Sequence, residues 1–170
     1  MNVESRSAAS PGGAEEVENQ DDLINAVLLA SRALVAIAAR SLAAAPAHIT
    51  LPQYRVLVVL ATRGPQFPSV LANELRIAPS SVTRLCDRLV AKGLILRAEA
   101  PDSRRQVVVT ISPAGRQVVD AVTDVRRREI GRLVTAVPAG RRPQTIEALN
   151  DLGAAAGEEL ERAWLPGWSE

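Results

Sequence analysis

Cysteine and histidine are scarce in this chain of 170 residues. The single cysteine, Cys86, excludes an internal disulfide and leaves no cysteine cluster for zinc. With one histidine, His48, the chain also lacks the residues for a Ser-His-Asp or Cys-His catalytic set, and it has no glycine-rich phosphate loop. The sequence therefore predicts a protein that is not an enzyme and that needs no metal or cofactor.

Aromatic residues make up only 2% of the chain, although 47% of it is hydrophobic. The apolar mass is mostly Ala, Val, Leu and Ile, which suits closely packed helices. The N-terminus shows no signal-peptide pattern, and Arg32 and Arg40 interrupt the one long apolar stretch, from Leu23 to Ala47. We expect one mainly helical domain in the cytoplasm, outside any membrane.

Acidic and basic residues are unevenly distributed along the chain, although the formal net charge is only +1. Between Arg76 and Arg105 there are seven basic residues against three acidic ones, whereas the first 22 residues are acidic. Because local fields matter more than the total charge, the middle of the chain is where an anionic partner is expected.

Residues 1–19 have almost no large apolar side chains, so we expect a disordered tail there. Apolar spacing predicts a first helix from Asp21 to about Ala45. Thr50 and Gln53 have the spacing of a capping box, which predicts a second helix that ends near Gly64.

Two short helices are expected next, over residues 68–75 and 79–92. The second has Pro79 at its first position and Gly93 just past its last turn. Since so tight a turn separates the two, they have the pattern of a helix-turn-helix.

The apolar period then changes to two, which predicts a hairpin. Leu94 and Leu96 mark its first strand, Val107, Val109 and Ile111 mark its second, and the charged residues 101–105 form its tip. Ser112 and Pro113 then open a helix that runs to about Val137, and a last helix spans roughly residues 143–163. A charged hairpin after a helix-turn-helix is a wing.

Several segments together resemble the MarR (multiple antibiotic resistance regulator) family. They are Leu51-Pro52-Gln53-Tyr54-Arg55-Val56-Leu57, Leu71-Ala72, Pro79-Ser80-Ser81-Val82-Thr83-Arg84-Leu85, Lys92-Gly93-Leu94-Ile95 and the stretch from Asp102 to Gly115. Each segment is weak by itself, but their order and spacing are specific. With the flanking helices, the resemblance covers about residues 21–163.

This resemblance implies a mainly α fold with a small β-hairpin, in which a winged helix-turn-helix lobe is flanked by long N- and C-terminal dimerisation helices. The expected division is a tail (1–19), an N-terminal dimerisation helix (20–50), the lobe (51–112), C-terminal dimerisation helices (113–165) and a second tail (166–170). The implied function is that of a transcriptional regulator, usually a repressor, whose homodimer binds a palindromic operator in double-stranded DNA. Many members release DNA when a small phenolic or lipophilic effector binds.

The recognition helix is expected at residues 79–92, because a helix fits the major groove and its N-terminal residues reach base edges. Its candidate DNA contacts are Ser80, Ser81, Thr83, Arg84 and Arg88. By helical spacing, Ser80, Thr83, Arg84 and Asp87 share one face, opposite Val82, Leu85 and Leu89. The structural alternative is that Ser80 and Ser81 only cap the helix and that Arg84 is a surface arginine paired with Asp87 or a neighbour of Arg88.

In the wing, Arg104 and Arg105 are candidates for the minor groove or its phosphates. The resemblance implies an acidic residue two positions before the wing arginine. Counting back from Ile111 puts the arginine at Arg105 and gives Ser103 as its partner, whereas Asp102 with Arg104 keeps the spacing one residue earlier. Both registers stay open at this stage.

The chain departs from the family pattern in the lobe as well. Ala78 replaces the expected Ser or Thr N-cap, and Arg76 stands where glycine is common. Both departures are also compatible with ordinary drift in a working lobe. His48, Tyr54 and Arg55 are candidates for the border of the effector pocket that the family implies. The alternative function is a winged-helix module for protein association without sequence-specific DNA binding.

Overall fold

A computed structural model describes residues 11–100 and 103–157 of the chain. The elements are α1 (Pro11–Ala43), α2 (Leu51–Arg63), α3 (Pro68–Leu75), α4 (Pro79–Ala91), β1 (Ile95–Ala100), β2 (Ser103–Ile111), α5 (Pro113–Val134), a 3-10 turn (Ala139–Arg141) and α6 (Arg142–Ala155). The mainly α fold with a two-stranded antiparallel hairpin is confirmed.

Helix α1 begins at Pro11, about ten residues before the predicted start. Residues 11–19, which we expected within a disordered tail, are therefore helical, and residues 1–10 lie outside the described part. Extending an existing helix adds one hydrogen bond for each residue that is fixed, and Ala and Glu favour the helical state. Composition alone missed this N-terminal extension of α1. The small number of apolar side chains shows how little the segment can bury, and it does not show whether an existing helix continues through it.

The chain divides into two compact units, residues 1–39 and 40–170. In the first unit, α1 carries many exposed apolar side chains, among them Leu23, Leu28, Leu29 and Val35. Its segment Asn19–Ala43 is long and apolar enough to cross a membrane by length and composition, and only 6% of its most apolar window is buried. Length and composition alone are weak evidence for a span, because the core helix of a soluble protein and an N-terminal signal sequence pass the same test.

The core of the second unit lies between the helix-turn-helix, the hairpin and the start of α5. Its largest fully buried side chains include Leu57, Leu60, Leu71, Leu89 and Ile95. Burying each such side chain contributes about 1.5–3 kcal/mol. This shared core fixes α4 against the hairpin, so the two candidate DNA-binding elements belong to one lobe.

Several predicted helix ends are confirmed by their hydrogen bonds. The capping box at Thr50 and Gln53 is present in both directions. Ser112 caps α5 by accepting a bond from the Gly115 amide at 3.0 Å. Gly64 and Gly93, which follow α2 and α4, have φ angles of 73° and 67°. The positive φ of Gly64 fits the predicted end of α2. The positive φ of Gly93 is the left-handed conformation expected after α4.

The hairpin is longer than predicted, and its first strand presents the opposite face to the core. Ile95 is 1% exposed and Leu96 is 56% exposed. Of the two residues predicted to form this strand, Leu96 lies in β1 but on its exposed side, whereas Leu94 precedes the strand and is buried in the connection from α4. Leu94, Ile95 and Leu96 are all apolar, so this part of the sequence does not alternate between polar and apolar residues. Core packing therefore decides which of the three side chains points inward.

The centre of β2 is held from both sides. Val109 pairs with Arg97 of β1, and its amide and carbonyl each bond to Gln66 at 2.9 Å. Gln66 lies in the connection between α2 and α3, so this isolated bridge ties the hairpin to the helix-turn-helix. Val109 is 0% exposed. The hairpin therefore has a rigid base beside the lobe.

Candidate nucleic-acid interface

Helix α4 separates its polar and apolar side chains onto opposite faces, as predicted. Val82, Cys86 and Leu89 are each 0% exposed. Ser80, Thr83, Arg84, Asp87 and Arg88 are exposed, and Ser81 is partly buried. The buried face anchors the helix, so the exposed set forms an outward polar strip at its N-terminal half. We call Ser80, Thr83, Arg84 and Asp87 the polar strip.

The two serines at the start of α4 do not cap it. Ala78 is the N-cap residue, and α4 has no side-chain cap hydrogen bond. The Thr83 hydroxyl donates to the Pro79 carbonyl at 3.1 Å, which is a bond within the helix. The hydroxyls of Ser80 and Ser81 are therefore not used as helix caps, which argues against the structural alternative for these residues.

Asp87 forms its ion pair with Arg97 of β1, at 2.7 Å between Nη1 and Oδ1. The alternative in which Arg84 pairs with Asp87 is therefore not observed. Within residues 11–100 and 103–157, neither Arg84 nor Arg88 has an acidic partner. Both guanidinium groups face solvent at the exposed side of α4, where an anion can reach them.

Arg97 is a functional candidate that the sequence analysis missed. It lies two residues after the buried Ile95, and side chains two apart on a strand point to the same side. This alternation could have revealed Arg97. The sequence analysis took Leu94 and Leu96, and not Ile95, as the residues that mark β1. Arg97 had counted only toward the positive charge of the region.

The Cys86 thiol is buried beneath the polar strip. Burial is the largest influence and raises the pKa of this thiol above its ordinary value, while the nearby Arg97 guanidinium opposes the rise. A buried thiol with a raised pKa is mostly protonated at neutral pH, and the protonated form is a poor nucleophile. The geometry thus favours a packing role for Cys86.

The turn between α3 and α4 contains Arg76 in the left-handed conformation, with φ 53° and ψ 44°. It is the one non-glycine residue with positive φ in the described part of the chain. Its amide bonds to the Asn73 carbonyl and the next amide, of Ile77, bonds to the Ala72 carbonyl, which closes the end of α3. An arginine thus adopts the left-handed conformation that glycine favours, and it places an exposed cation in the turn.

The wing arginines are described only through their backbone. Arg104 and Arg105 lie in β2 and not in a loop between the strands, so that part of the prediction is wrong. The register is regular from Ile95–Ile111 to Glu99–Val107 and becomes irregular between Glu99 and Ala100. Such irregularities increase strand twist. The side chains of Arg104 and Arg105, and the whole of Asp102, lie outside the described residues, so both registers stay predictions.

Comparison with known proteins identifies the family. Residues 49–107, from the loop before α2 to the middle of β2, match the model of the MarR family. The solved structure of RV1404 from Mycobacterium tuberculosis is 41% identical, with a TM-score of 0.77, over 83% of this chain and 96% of that chain. The chain belongs to the MarR family.

Two other relatives support the same assignment. The transcriptional regulator YkoM of Bacillus subtilis is 26% identical over 82% of this chain and 89% of its own length. The multiple antibiotic resistance protein MarR of Salmonella typhimurium is 33% identical over 44% of this chain, and the match spans about half, 52%, of that relative. This MarR-family chain is a transcriptional regulator with a winged-helix DNA-binding fold.

The three candidate pocket residues of this MarR-family chain face different surroundings. His48 is exposed, and its carbonyl accepts a bond from the Lys92 ammonium at the end of α4. Tyr54 is 3% exposed, with the Arg126 guanidinium 5.5 Å from its ring centre. Arg55 is exposed and borders a polar groove that includes Arg76. Tyr54 and Arg55 therefore do not share one wall, and an effector pocket at these residues stays a prediction.

The described residues of this MarR-family chain contain no group of three or more His, Cys, Asp or Glu side chains that could hold a metal ion. The exposed hydroxyl and guanidinium groups of α4 offer polar and cationic recognition. Hydroxyl groups and guanidinium groups on a protruding helix can donate to base edges and phosphates.

Proposed function

We propose that this MarR-family protein binds a palindromic operator in double-stranded DNA as a homodimer and represses transcription. The observation that carries the proposal is the polar strip of α4, in which the unpaired Arg84 guanidinium projects from a helix anchored by a fully buried face. Arginine can donate two bonds to a guanine, which is the commonest specific contact in the major groove. Ser80, Ser81, Thr83 and Arg88 would make the neighbouring base and phosphate contacts.

The wing completes this proposal. Arg104 and Arg105 follow the irregularity in the hairpin, on the same lobe as α4. We infer that one of them enters the minor groove while the other, oriented by Asp102, holds the flanking phosphates. Two elements reaching adjacent grooves would fix both the register and the orientation of the lobe.

Exposed apolar side chains support the homodimer. In the described part of the first unit, Leu23, Leu29 and Val35 of α1 are at least 63% exposed. In the second unit, Ile146, Leu149 and Leu152 of α6 are 49–57% exposed. Large exposed apolar surfaces on soluble proteins mark interfaces, and a second copy would cover both sets. This role also accounts for the apolar stretch of α1 in a cytoplasmic protein.

A small phenolic or lipophilic effector is the further part of the proposal. Helices α2 and α5 contact each other, and α5 carries three buried polar atoms without hydrogen-bond partners within the described residues: Asp120 Oδ1, Thr123 Oγ1 and Arg126 Nε. Such atoms are costly unless a ligand, water or partner chain satisfies them. We propose that the effector binds near Tyr54 and Arg126, with His48 and Arg55 at the margins.

The proposal is tested by selecting bound fragments from the genomic DNA of the source organism with the purified protein. Footprints should show two half-sites about 10 bp apart, or a multiple of that spacing. Sedimentation should give a dimer, and transcription from a bound promoter should fall when the protein is added. Candidate phenols and lipids are then screened for release of the selected DNA.

Two results would contradict this function. A monomer in solution, or a single unpaired footprint, would exclude the palindromic complex. Lack of affinity for any duplex at low ionic strength would instead favour the protein-association module, because phosphate contacts strengthen as salt is removed.

A further inference from the structure

One arginine of the hairpin contacts two successive turns of α4. The Arg97 Nη1 lies 2.7 Å from Asp87 Oδ1, and its Nη2 donates to the Thr83 carbonyl at 3.5 Å. The first contact is a short charge-assisted bond and the second is long. Because Thr83 and Asp87 are four residues apart, the guanidinium spans one full turn of the polar strip.

The backbone that carries Arg97 is held firmly. Arg97 pairs with Val109, whose backbone is bonded on its other side to Gln66. Ile95, two residues before Arg97 on the same strand, is buried in the core. Side chains on such supported strands are placed more exactly than those on loops. The contacts of Arg97 can therefore fix the orientation of α4 relative to the hairpin.

Asp87 is the only acidic member of the polar strip. A free carboxylate there would repel the DNA phosphates and would accept bonds from bases in competition with Thr83 and Arg84. In the ion pair, the side chain of Asp87 is 54% exposed and that of Arg97 is 35% exposed. The Arg97 side chain is thus the less exposed member of the pair, and Arg84 is itself exposed.

We propose that Arg97 is a positioning residue for DNA recognition: it neutralises Asp87 and fixes α4 against the hairpin, so that base readout is left to Thr83 and Arg84. The inference rests on the proposed function, since it assigns the role of Arg97 within the same DNA complex. Arg97 acts through Asp87 and Thr83 and does not itself bind phosphate.

The test is a double-mutant cycle on the full-length protein with the selected operator. Arg97→Ala should weaken binding about tenfold or more, since it removes the clamp and uncovers the Asp87 charge. Asp87→Asn, which removes the carboxylate together with the ion pair, should cost less affinity than Arg97→Ala, which leaves the carboxylate unneutralised. Adding Asp87→Asn to Arg97→Ala should recover a measurable part of the lost affinity, because the uncovered charge is gone while the contacts that fix α4 are still missing.

A matched control separates this effect from general electrostatics. Glu99 lies on the same strand two residues from Arg97, so it shares its side of β1, and it is exposed. Glu99→Gln removes the same charge as Asp87→Asn but should not rescue Arg97→Ala. Arg97→Lys, which retains the charge, should lose less affinity than Arg97→Ala.

Two further measurements distinguish positioning from a direct phosphate contact or a folding defect. Arg97→Ala should broaden the base preference and leave the salt slope unchanged, whereas loss of a phosphate contact lowers that slope by about 1. Thermal unfolding shows whether each variant is folded, and Arg97→Gln replaces Arg97→Ala in the cycle if the alanine variant is not.

The inference is overturned if the double variant binds as weakly as Arg97→Ala, or if Glu99→Gln rescues equally. It is also wrong if Asp87→Asn alone costs as much as Arg97→Ala, since Asp87 would then read a base itself. These failures require wild-type binding. A wild-type protein that binds no duplex contradicts the proposed function instead.

Discussion

Gly115, in the first turn of α5, lies so close to Leu94 that a Cβ atom at residue 115 would stand 2.1 Å from the Leu94 carbonyl oxygen. The Leu94 carbonyl also accepts a bond from the Ser112 amide at 3.1 Å, and the Ser112 hydroxyl donates to the Gly93 carbonyl at 2.6 Å. The start of α5 is thus joined to the segment that follows α4 by one backbone bond, one side-chain bond and the close approach at Gly115. This junction connects the proposed recognition helix α4 to the proposed dimerisation helix α5.

Gly115→Ala should destabilise the protein by about 1–3 kcal/mol, because the added methyl group meets backbone that cannot move away cheaply. Gly131 is the matched control, since it lies in the same helix with nothing within 4 Å of its Cβ position. Gly131→Ala should stabilise by about 0.5–1 kcal/mol through helix propensity. Urea unfolding measures both, and equal effects of the two substitutions would contradict the close approach at Gly115.

Arg76→Gly should raise stability by about 0.5–1 kcal/mol. The left-handed conformation costs a non-glycine residue about 1–2 kcal/mol, part of which is offset by the greater freedom of glycine in the unfolded chain. Arg76→Ala removes the same charge but keeps the strain, so it should not stabilise. If the Arg76 guanidinium contacts a DNA phosphate, Arg76→Gly and Arg76→Ala lose the same affinity for the operator. Thermal unfolding and operator titration separate the two effects, and a stabilised alanine variant would argue against backbone strain.

Arg84→Ala should reduce discrimination among operator variants, with a loss of about 1–3 kcal/mol against the wrong base. Arg105→Ala should weaken binding to all sequences and lower the salt slope by about 1, as expected for a wing contact to the DNA backbone. Binding curves on the operator and on base-substituted duplexes, each at several salt concentrations, measure both quantities. Equal loss of sequence preference in the two variants would refute this division of roles.

The ion pair between Arg40 and Glu129 should make stability depend on pH. Arg40 donates to Glu129 Oε2 from Nε at 3.1 Å and from Nη2 at 2.5 Å. This hydrogen bonding lowers the pKa of Glu129. A lowered folded-state pKa stabilises the protein above the unfolded value, about 4.3, and that stability is lost as pH falls through the folded value.

Wild type should therefore be slightly more stable than Glu129→Gln at pH 7, and the difference should close in acid. The effect is small because the pair is exposed to solvent. Urea midpoints of both proteins between pH 7 and pH 3 provide the measurement. A difference that does not change with pH would show that the Glu129 carboxylate contributes nothing through its charge.

Cys86 should react with a thiol reagent no faster than the protein opens. Its side chain is 0% exposed, and burial raises the pKa of the thiol, so little thiolate exists at neutral pH. Reaction rates in buffer and in urea test this. Rapid modification of the folded protein with loss of DNA binding would instead indicate an oxidant-sensing role.

Local patterns predicted much of the lobe. The Thr50 capping box, the Ser112 cap, the Gly93 helix end and the outward polar strip of α4 each depend on residues within a few positions of one another. Their hydrogen bonds form inside one element, so sequence spacing describes them directly. The start of α1 and the inward residue of β1 were missed because helix propagation and core packing decide them.

What the sequence by itself determined is the order of elements, the caps that begin and end them, and the separation of polar from apolar faces on α4, because these follow from hydrogen bonds and side-chain periodicity along a short stretch. Only the tertiary structure decided that Arg97 pairs with Asp87, that Val109 bonds to Gln66, and that Gly115 lies against Leu94. Those contacts depend on how separate elements are placed by the shared core, and that placement cannot be read from spacing within any one element.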